Sequence, residues 1–191
     1  MRSAVGGKCG VLIPISCRTI SPMRLRDLLC GGDRRSLARA GEALAIARED
    51  PDALAELARL AYDPDPLVAQ RACDTLEKLL KDRIDWVQPH KHVFLDQIAS
   101  PFWETRLQCV RAVSQFDWTE DETAKVIEAL RPRILDEQKF VRCWALDSFS
   151  LFAEIYPELI PELDAHISEF LRSGVPSMQA RARAIVRRLK L

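Results

Sequence analysis

Asp65-Pro66-Leu67-Val68-Ala69-Gln70-Arg71-Ala72-Cys73-Asp74-Thr75-Leu76-Glu77-Lys78-Leu79 is the stretch that decides the architecture of this chain. Val68, Ala72, Leu76 and Leu79 fall at i, i+4, i+8 and i+11, which places them on one stripe of an α-helix. Asp65-Pro66 reads as the helix start, because the carboxylate accepts from free backbone N–H groups and proline fits the first turn. The pattern returns at Thr105-Cys109-Val113-Phe116, Val141-Ala145-Phe149-Phe152 and Met178-Ala182-Val186-Leu189, at intervals of 37, 36 and 37 residues. A small residue stands second in every copy (Ala72, Cys109, Ala145, Ala182), where two helices would have to approach closely. A weaker fifth copy, Ser36-Ala40-Leu44-Ala47, precedes these by 32 residues.

Another helical stretch lies before each strong copy: Leu54 to Ala61, His92 to Ala99, Thr123 to Ile134 and Leu159 to Leu171. Breakers separate the members of each pair, at Asp63-Pro64-Asp65-Pro66, Ser100-Pro101, Asp136-Glu137-Gln138 and Ser173-Gly174-Val175-Pro176. No run alternates as a strand would. The expected helices span 22–30, 34–48, 51–62, 66–82, 90–99, 102–116, 120–134, 138–154, 158–172 and 176–190. The fold class is all-α, expected as a right-handed α-α superhelix of about five antiparallel helix pairs over 21–191.

The sequence resembles the HEAT-repeat family, whose unit is two antiparallel helices joined by a tight turn. The family's second helix often opens with Asp-Pro followed by Val-Arg-x-x-Ala-x-x-Ala-Leu. Asp65 to Ala72 with Thr75-Leu76 matches most of this, lacking the Arg after Val68. Val141-Arg142-Cys143-Trp144-Ala145 restores that Arg and Thr105-Arg106 retains it, whereas Met178-Gln179 predicts a break in the side-chain ladder at the last copy. The resemblance covers about residues 22 to 191 and speaks to architecture, since one fold hosts many functions.

Composition narrows the function classes. The chain has 191 residues, 48% hydrophobic and 29% charged, as in an ordinary globular domain. Lys plus Arg and Asp plus Glu both number 28, and the zero net charge weakens any reading as a tight non-specific DNA binder. No apolar run approaches the ~20 residues of a membrane span. The six cysteines, at 9, 17, 30, 73, 109 and 143, include no CxxC pair, so reduced thiols and a cytoplasmic setting are expected. Val11-Leu12-Ile13-Pro14-Ile15 is too short and too broken for a signal peptide. Residues 1–20 read as a flexible tail, an upstream extension of a chain whose working start is Met23.

The motifs that would carry chemistry are incomplete. Gly6-Gly7-Lys8-Cys9 lacks the Ser or Thr and the preceding strand of a phosphate loop. His90-Lys91-His92 has no third ligand at helical spacing, and Asp52, Asp63 and Asp65 lack the glycine and distal Glu of a calcium loop. There is no His-Glu dipeptide, so the resemblance does not extend to the iron-binding HEAT-repeat hydroxylases. No cofactor, metal or catalytic set is implied.

Charge is nevertheless uneven. Residues 1–39 carry eight basic and two acidic side chains. Residues 178–191 carry Arg181, Arg183, Arg187, Arg188 and Lys190 with no acid, and Glu154, Glu158, Glu162, Asp164 and Glu169 lie just before them. In helix-pair solenoids the second helices line the concave face, the usual binding surface. The repeat register puts Arg71, Gln108, Trp144 and Arg181 in one row of that face, and Asp74, Arg111, Asp147 and Ala184 in another. Trp144 ringed by Arg111, Arg181, Gln108 and Asp147 is a plausible anchor, since exposed Trp and Arg dominate binding energetics. Packing of Trp144 into the core between repeats is the alternative. The expected function is a non-enzymatic scaffold or adaptor that binds a macromolecule, a protein foremost, in its groove. Nucleic acid phosphates are a second class of partner, through the basic C-terminal helix. The rival reading rests on resemblance to HEAT-like DNA glycosylases that remove alkylated bases. Those enzymes use a Trp, Asp and Arg cluster, which Trp144, Asp147, Arg111 and Arg181 imitate in part.

The tail reading is open to test. Limited proteolysis is expected to cut rapidly before Met23 and leave the melting temperature of the remainder unchanged. A drop of several degrees on deleting residues 1–20 would make the tail structural, since ~1 kcal/mol shifts a domain of this size by that much.

Overall fold

The computed structural model of the protein describes residues 23–33 and 36–191. The expected tail, the helix start at Ser21-Pro22, the Gly6-Gly7-Lys8-Cys9 motif and Cys17 lie outside the described residues. Within them the chain folds as ten α-helices: α1 (Met23–Leu29), α2 (Ala40–Glu49), α3 (Pro51–Leu60), α4 (Pro66–Val87), α5 (His92–Gln97), α6 (Trp103–Ala112), α7 (Glu120–Ile134), α8 (Lys139–Ile155), α9 (Ile160–Arg172) and α10 (Pro176–Leu189). There is no strand among the described residues.

Odd-numbered helices pack on the even-numbered helix that follows, giving five pairs joined by short turns. The even-numbered helices also pack side by side along the array, α2 on α4, α4 on α6, α6 on α8 and α8 on α10. This is an all-α solenoid, and the repeat register explains it. Val68, Leu76 and Leu79 are fully buried on α4, as are Val113 just after α6 and Val141 and Phe149 on α8. All four small residues, Ala72, Cys109, Ala145 and Ala182, are fully buried, and Cys109 meets Cys73 of α4.

The turns are held by capping groups. Asp50 and Asp65 each accept at 2.9 Å from the N–H two residues on, with proline in the first helical turn. Thr119 and Glu122 form a reciprocal capping box at the start of α7. At the α7–α8 turn, Asp136 accepts from the Gln138 N–H and from Arg106 of α6 through both carboxylate oxygens, at 2.7 and 2.9 Å. Arg106 also donates to the Ser100 and Pro101 carbonyls, tying two successive turns together. Arg142, the equivalent residue of α8, spans the Ile134 carbonyl and Glu169. At the last copy Gln179 still donates to the Leu171 carbonyl at 3.0 Å, so the expected break removes the charge pair and leaves the carbonyl contact.

The two largest departures from the expected helix boundaries lie at the start of α2 and the end of α4. The helix expected over 34–48 begins only at Ala40. The guanidinium of Arg71, 1% exposed, donates to the carbonyls of Leu29, Gly31, Asp33 and Ser36, and so holds the preceding segment in a non-helical path. Gly31 and Gly32 turn that path with φ of +77° and +72°. As a result Ala40, Ala43 and Ala47 form the buried stripe of α2, and Ser36 of the weak fifth copy stays exposed outside the helix. The helix expected over 66–82 runs on to Val87 through a kink at Arg83, whose guanidinium donates to the Arg48 carbonyl at the end of α2.

Arg106→Ala is expected to cost about 3–5 kcal/mol, the cost of stranding a buried carboxylate, and so to lower the melting temperature by about 10 °C or more. Burial alone would raise the Asp136 pKa, but Arg106, the Gln138 N–H and Arg133 together hold it below the usual value. Stability from this pair is therefore present at neutral pH and lost as pH falls through that lowered value. Calorimetry of the two proteins between neutral and strongly acidic pH checks both statements.

Candidate functional site

The outward face of the even-numbered helices carries the predicted site residues. Trp144 lies on α8, flanked by α6 on one side and α10 on the other. Its ring is partly buried and packs against the core. The Arg111 guanidinium carbon sits 5.1 Å from the ring centroid and that of Arg181 4.2 Å, which are cation–π distances to one aromatic from both neighbouring helices.

Each guanidinium is held in turn. Arg181 pairs with Asp147, one helical turn along α8, at 3.2 Å. Arg188 reaches the same Asp147 oxygen at 3.7 Å and Glu154 at 2.7 Å. Arg111 pairs with Glu77 of α4 at 2.8 Å and donates to the Gln108 side-chain oxygen at 3.3 Å. Gln108 donates to Asp74 of α4 at 3.1 Å, and Asp74 also holds Lys78 at 2.6 Å. All five predicted residues, Trp144, Arg111, Arg181, Gln108 and Asp147, are thus joined in one network that runs from α4 to α10.

Sequence reasoning passed over one member of this network, Glu77, whereas the repeat register had placed Arg188 in a third row of the same face, ten residues after the first core position. Glu77 is buried on the flank of α4 that meets α6, and burial pushes its pKa up against the opposing pull of Arg111. In the sequence it looks like any polar surface position. The signal available was the register itself, because Glu77 occupies the same repeat position as Ser114 and Ser150, which also contact the next helix. The structure places Arg71, read into the same row as Trp144, away from this network. It is spent on the loop between α1 and α2, as described above.

A cleft of about 180 Å³ opens beside the network at its α4–α6 end, lined by Leu37, Gln70, Asp74, Trp103 and Leu107 among others. The two remaining tryptophans serve the turns. Trp118 donates to the Val113 carbonyl and meets Phe116 edge-on, with Lys91 over its ring, while Trp86 lies under Arg83. His92 approaches Glu122 at 3.2 Å and burial lowers the His90 pKa. No three His, Cys, Asp or Glu side chains converge on a common point among the described residues. Cys30, Cys73, Cys109 and Cys143 are free thiols, the last three buried.

The fold and site define a helical-repeat protein, and comparison with known proteins narrows the class. No family model matches the chain, and no curated protein matches it. Among solved structures, an archaeal HEAT-like repeats protein from Thermococcus onnurineus NA1 superposes with a TM-score of 0.58 at 19% identity, covering 85% of this chain and 63% of that one. An engineered protein of the Northeast Structural Genomics Consortium superposes with a TM-score of 0.57 at 18% identity, covering 88% of this chain and 79% of that one. The fold is a HEAT-like helical-repeat solenoid.

The Arg111–Glu77 pair gives the network a measurable pH signature. Arg111→Ala is expected to destabilise the protein by about 1–3 kcal/mol at neutral pH, because Glu77 is left charged and buried without its partner. An acid whose folded pKa lies above its unfolded value opposes folding more as pH rises between the two. The penalty should therefore shrink as the pH is lowered and Glu77 takes up a proton. Denaturant unfolding of both proteins at pH 7 and at mildly acidic pH measures the difference.

Proposed function

We propose that this protein is a non-enzymatic scaffold that binds a protein partner on the face of its even-numbered helices, with Trp144, Arg111, Arg181 and Gln108 as anchors and Asp147 fixing Arg181. The observation that carries the reading is the position of Trp144 between two guanidiniums that are themselves ion-paired. Side chains held in this way lose little rotamer entropy on binding, which is what makes Trp and Arg effective interface anchors. The even-numbered helices pack closely along the array, which supports curvature towards their face. The neighbouring cleft, with Trp103, Leu107 and Leu37 in its wall, has the size and character to take one apolar side chain of a partner. Free thiols support a reducing, cytoplasmic setting, and no described helix is long and apolar enough to cross a membrane.

The same residues support the glycosylase reading less well. A carboxylate that stabilises a sugar cation has to be free to approach it, and Asp147 is engaged by Arg181 and Arg188. An aromatic that stacks on a lesion needs an open face, whereas Trp144 has a guanidinium from each neighbouring helix.

Co-purification with mass spectrometry identifies the partner, and titration of that purified partner then tests the surface. Trp144→Ala combined with Arg181→Ala is expected to weaken binding roughly 30-fold, the about 2 kcal/mol typical of a hot spot. Unchanged affinity would overturn the assignment. Abasic sites above blank in DNA carrying 7-methylguanine would transfer these residues to the glycosylase reading.

A further inference from the structure

The repeat register identifies which flank of each even-numbered helix faces the next repeat. Counting from the first core residue of each copy, the residues at +2, +5 and +9 lie on that flank. On α4 these are Gln70, Cys73 and Glu77; on α6 Leu107 and Val110, with Ser114 just after it; on α8 Cys143, Leu146 and Ser150. Their contacts point forward along the array. Glu77 meets Arg111, Ser114 meets Ser148, the Val110 carbonyl accepts from Ser148, and Ser150 accepts from Arg188. Gln70, Cys73, Val110, Leu146 and Ser150 are all buried.

At α10 the same positions hold Ala180, Arg183 and Arg187, and Lys190 follows as the left-handed C-cap of the helix. All four are exposed. Among the described residues the side chains of Arg183, Arg187 and Lys190 have no ion pair or hydrogen bond, whereas Arg181 and Arg188 on the adjacent flank are paired to α8. The surface shaped to receive another helix has thus exchanged its apolar and small polar residues for unmatched cations. A continuing apolar repeat would bury those charges at a cost of several kcal/mol each. Half-exposed Val186 borders the stripe and leaves apolar contact available beside it.

We propose that this outer flank of α10 docks an acidic α-helix of a partner protein, laid alongside α10 as one further helix of the array. Carboxylates spaced i and i+4 on that helix match Arg183 and Arg187, which stand at the same interval about 6 Å apart along the axis, and Lys190 at the end of α10 adds to the positive charge. A helix is favoured over a nucleic acid because so few phosphate contacts would give only weak, salt-sensitive binding. This surface is distinct from the Trp144 network, so the two fail independently.

The test uses the full chain and a fluorescent alanine-rich helical peptide of about 20 residues, with glutamate at i and i+4. Control peptides carry glutamine or lysine at those positions, and a short DNA duplex is titrated in parallel. Anisotropy at low salt is expected to show the glutamate peptide bound about tenfold more tightly than the glutamine peptide. Arg183→Glu with Arg187→Glu should abolish that preference and transfer it to the lysine peptide. The melting temperature should be unchanged, since both side chains are exposed and unpaired. Equal binding of the glutamate and glutamine peptides, retention of the preference in the double variant, or tighter binding of DNA through the same arginines would overturn the proposal.

Discussion

Close approach of the even-numbered helices is the constraint on which the rest of this structure depends. Ala72, Cys109, Ala145 and Ala182 are fully buried, and a larger side chain there would push the axes apart or force strained rotamers. The Ser148 hydroxyl, which donates to the Val110 main-chain carbonyl of α6, shows how near the two backbones come. With the helices held close, side chains three, six and nine residues after the first core residue of each copy are brought into register across helices. Gln108 then meets Asp74, Arg111 meets Glu77, and Arg181 meets Asp147. The polar network around Trp144 is therefore a consequence of small residues that touch none of its members' charges.

Charge supplies what the repeated core lacks, which is a distinction between one repeat and the next. The apolar stripes are interchangeable in character, so a slip by one unit would cost them little. Ion pairs that join different repeats differ in sequence and position: Arg26 with Asp63, Lys91 with Glu122, Arg106 with Asp136, and Arg131 with Glu162. Exposed pairs of this kind contribute little stability individually. Arg106 with Asp136 is the exception, since both are almost wholly buried and each also serves main-chain groups of a turn. Lys91 is the nearest to it in effect. It holds Glu122 well below the ordinary carboxylate range, with help from the Thr119 N–H, to about 2, and so joins the pair to a helix cap.

The repeats were legible because each core position depends on residues within one helix, and the start of α4 because Asp65-Pro66 acts within its first turn. What escaped the sequence depends on distant groups. The start of α2 moved from 34 to 40 because Arg71, on α4, takes the Asp33 and Ser36 carbonyls that a longer helix would have used. The extension of α4 to Val87 depends on Arg83 finding the end of α2. At the site, the row positions of Trp144, Arg111 and Arg181 followed from counting. The partners of the two arginines did not all follow, because Glu77 is polar on paper and buried in space.

A solenoid repeats its contacts, so its unused surface shows where the repetition stops. Along the even-numbered helices each guanidinium of the inner network has a carboxylate supplied by a neighbouring helix, and the zero net charge of the chain conceals that local balance. The acids just before α10 do not extend the balance to its outer flank, because Glu162 and Glu169 are taken by Arg131 and Arg142 of earlier repeats. Within those adjacent segments Glu154 pairs with Arg188, whereas Glu162 and Glu169 pair with earlier repeats. The register assigns those acids backwards along the array and leaves Arg183, Arg187 and Lys190 facing outwards. In an array built this way, unmatched charge accumulates on the flank where the next repeat would have supplied the partner, and that flank is also the one already shaped to receive a helix.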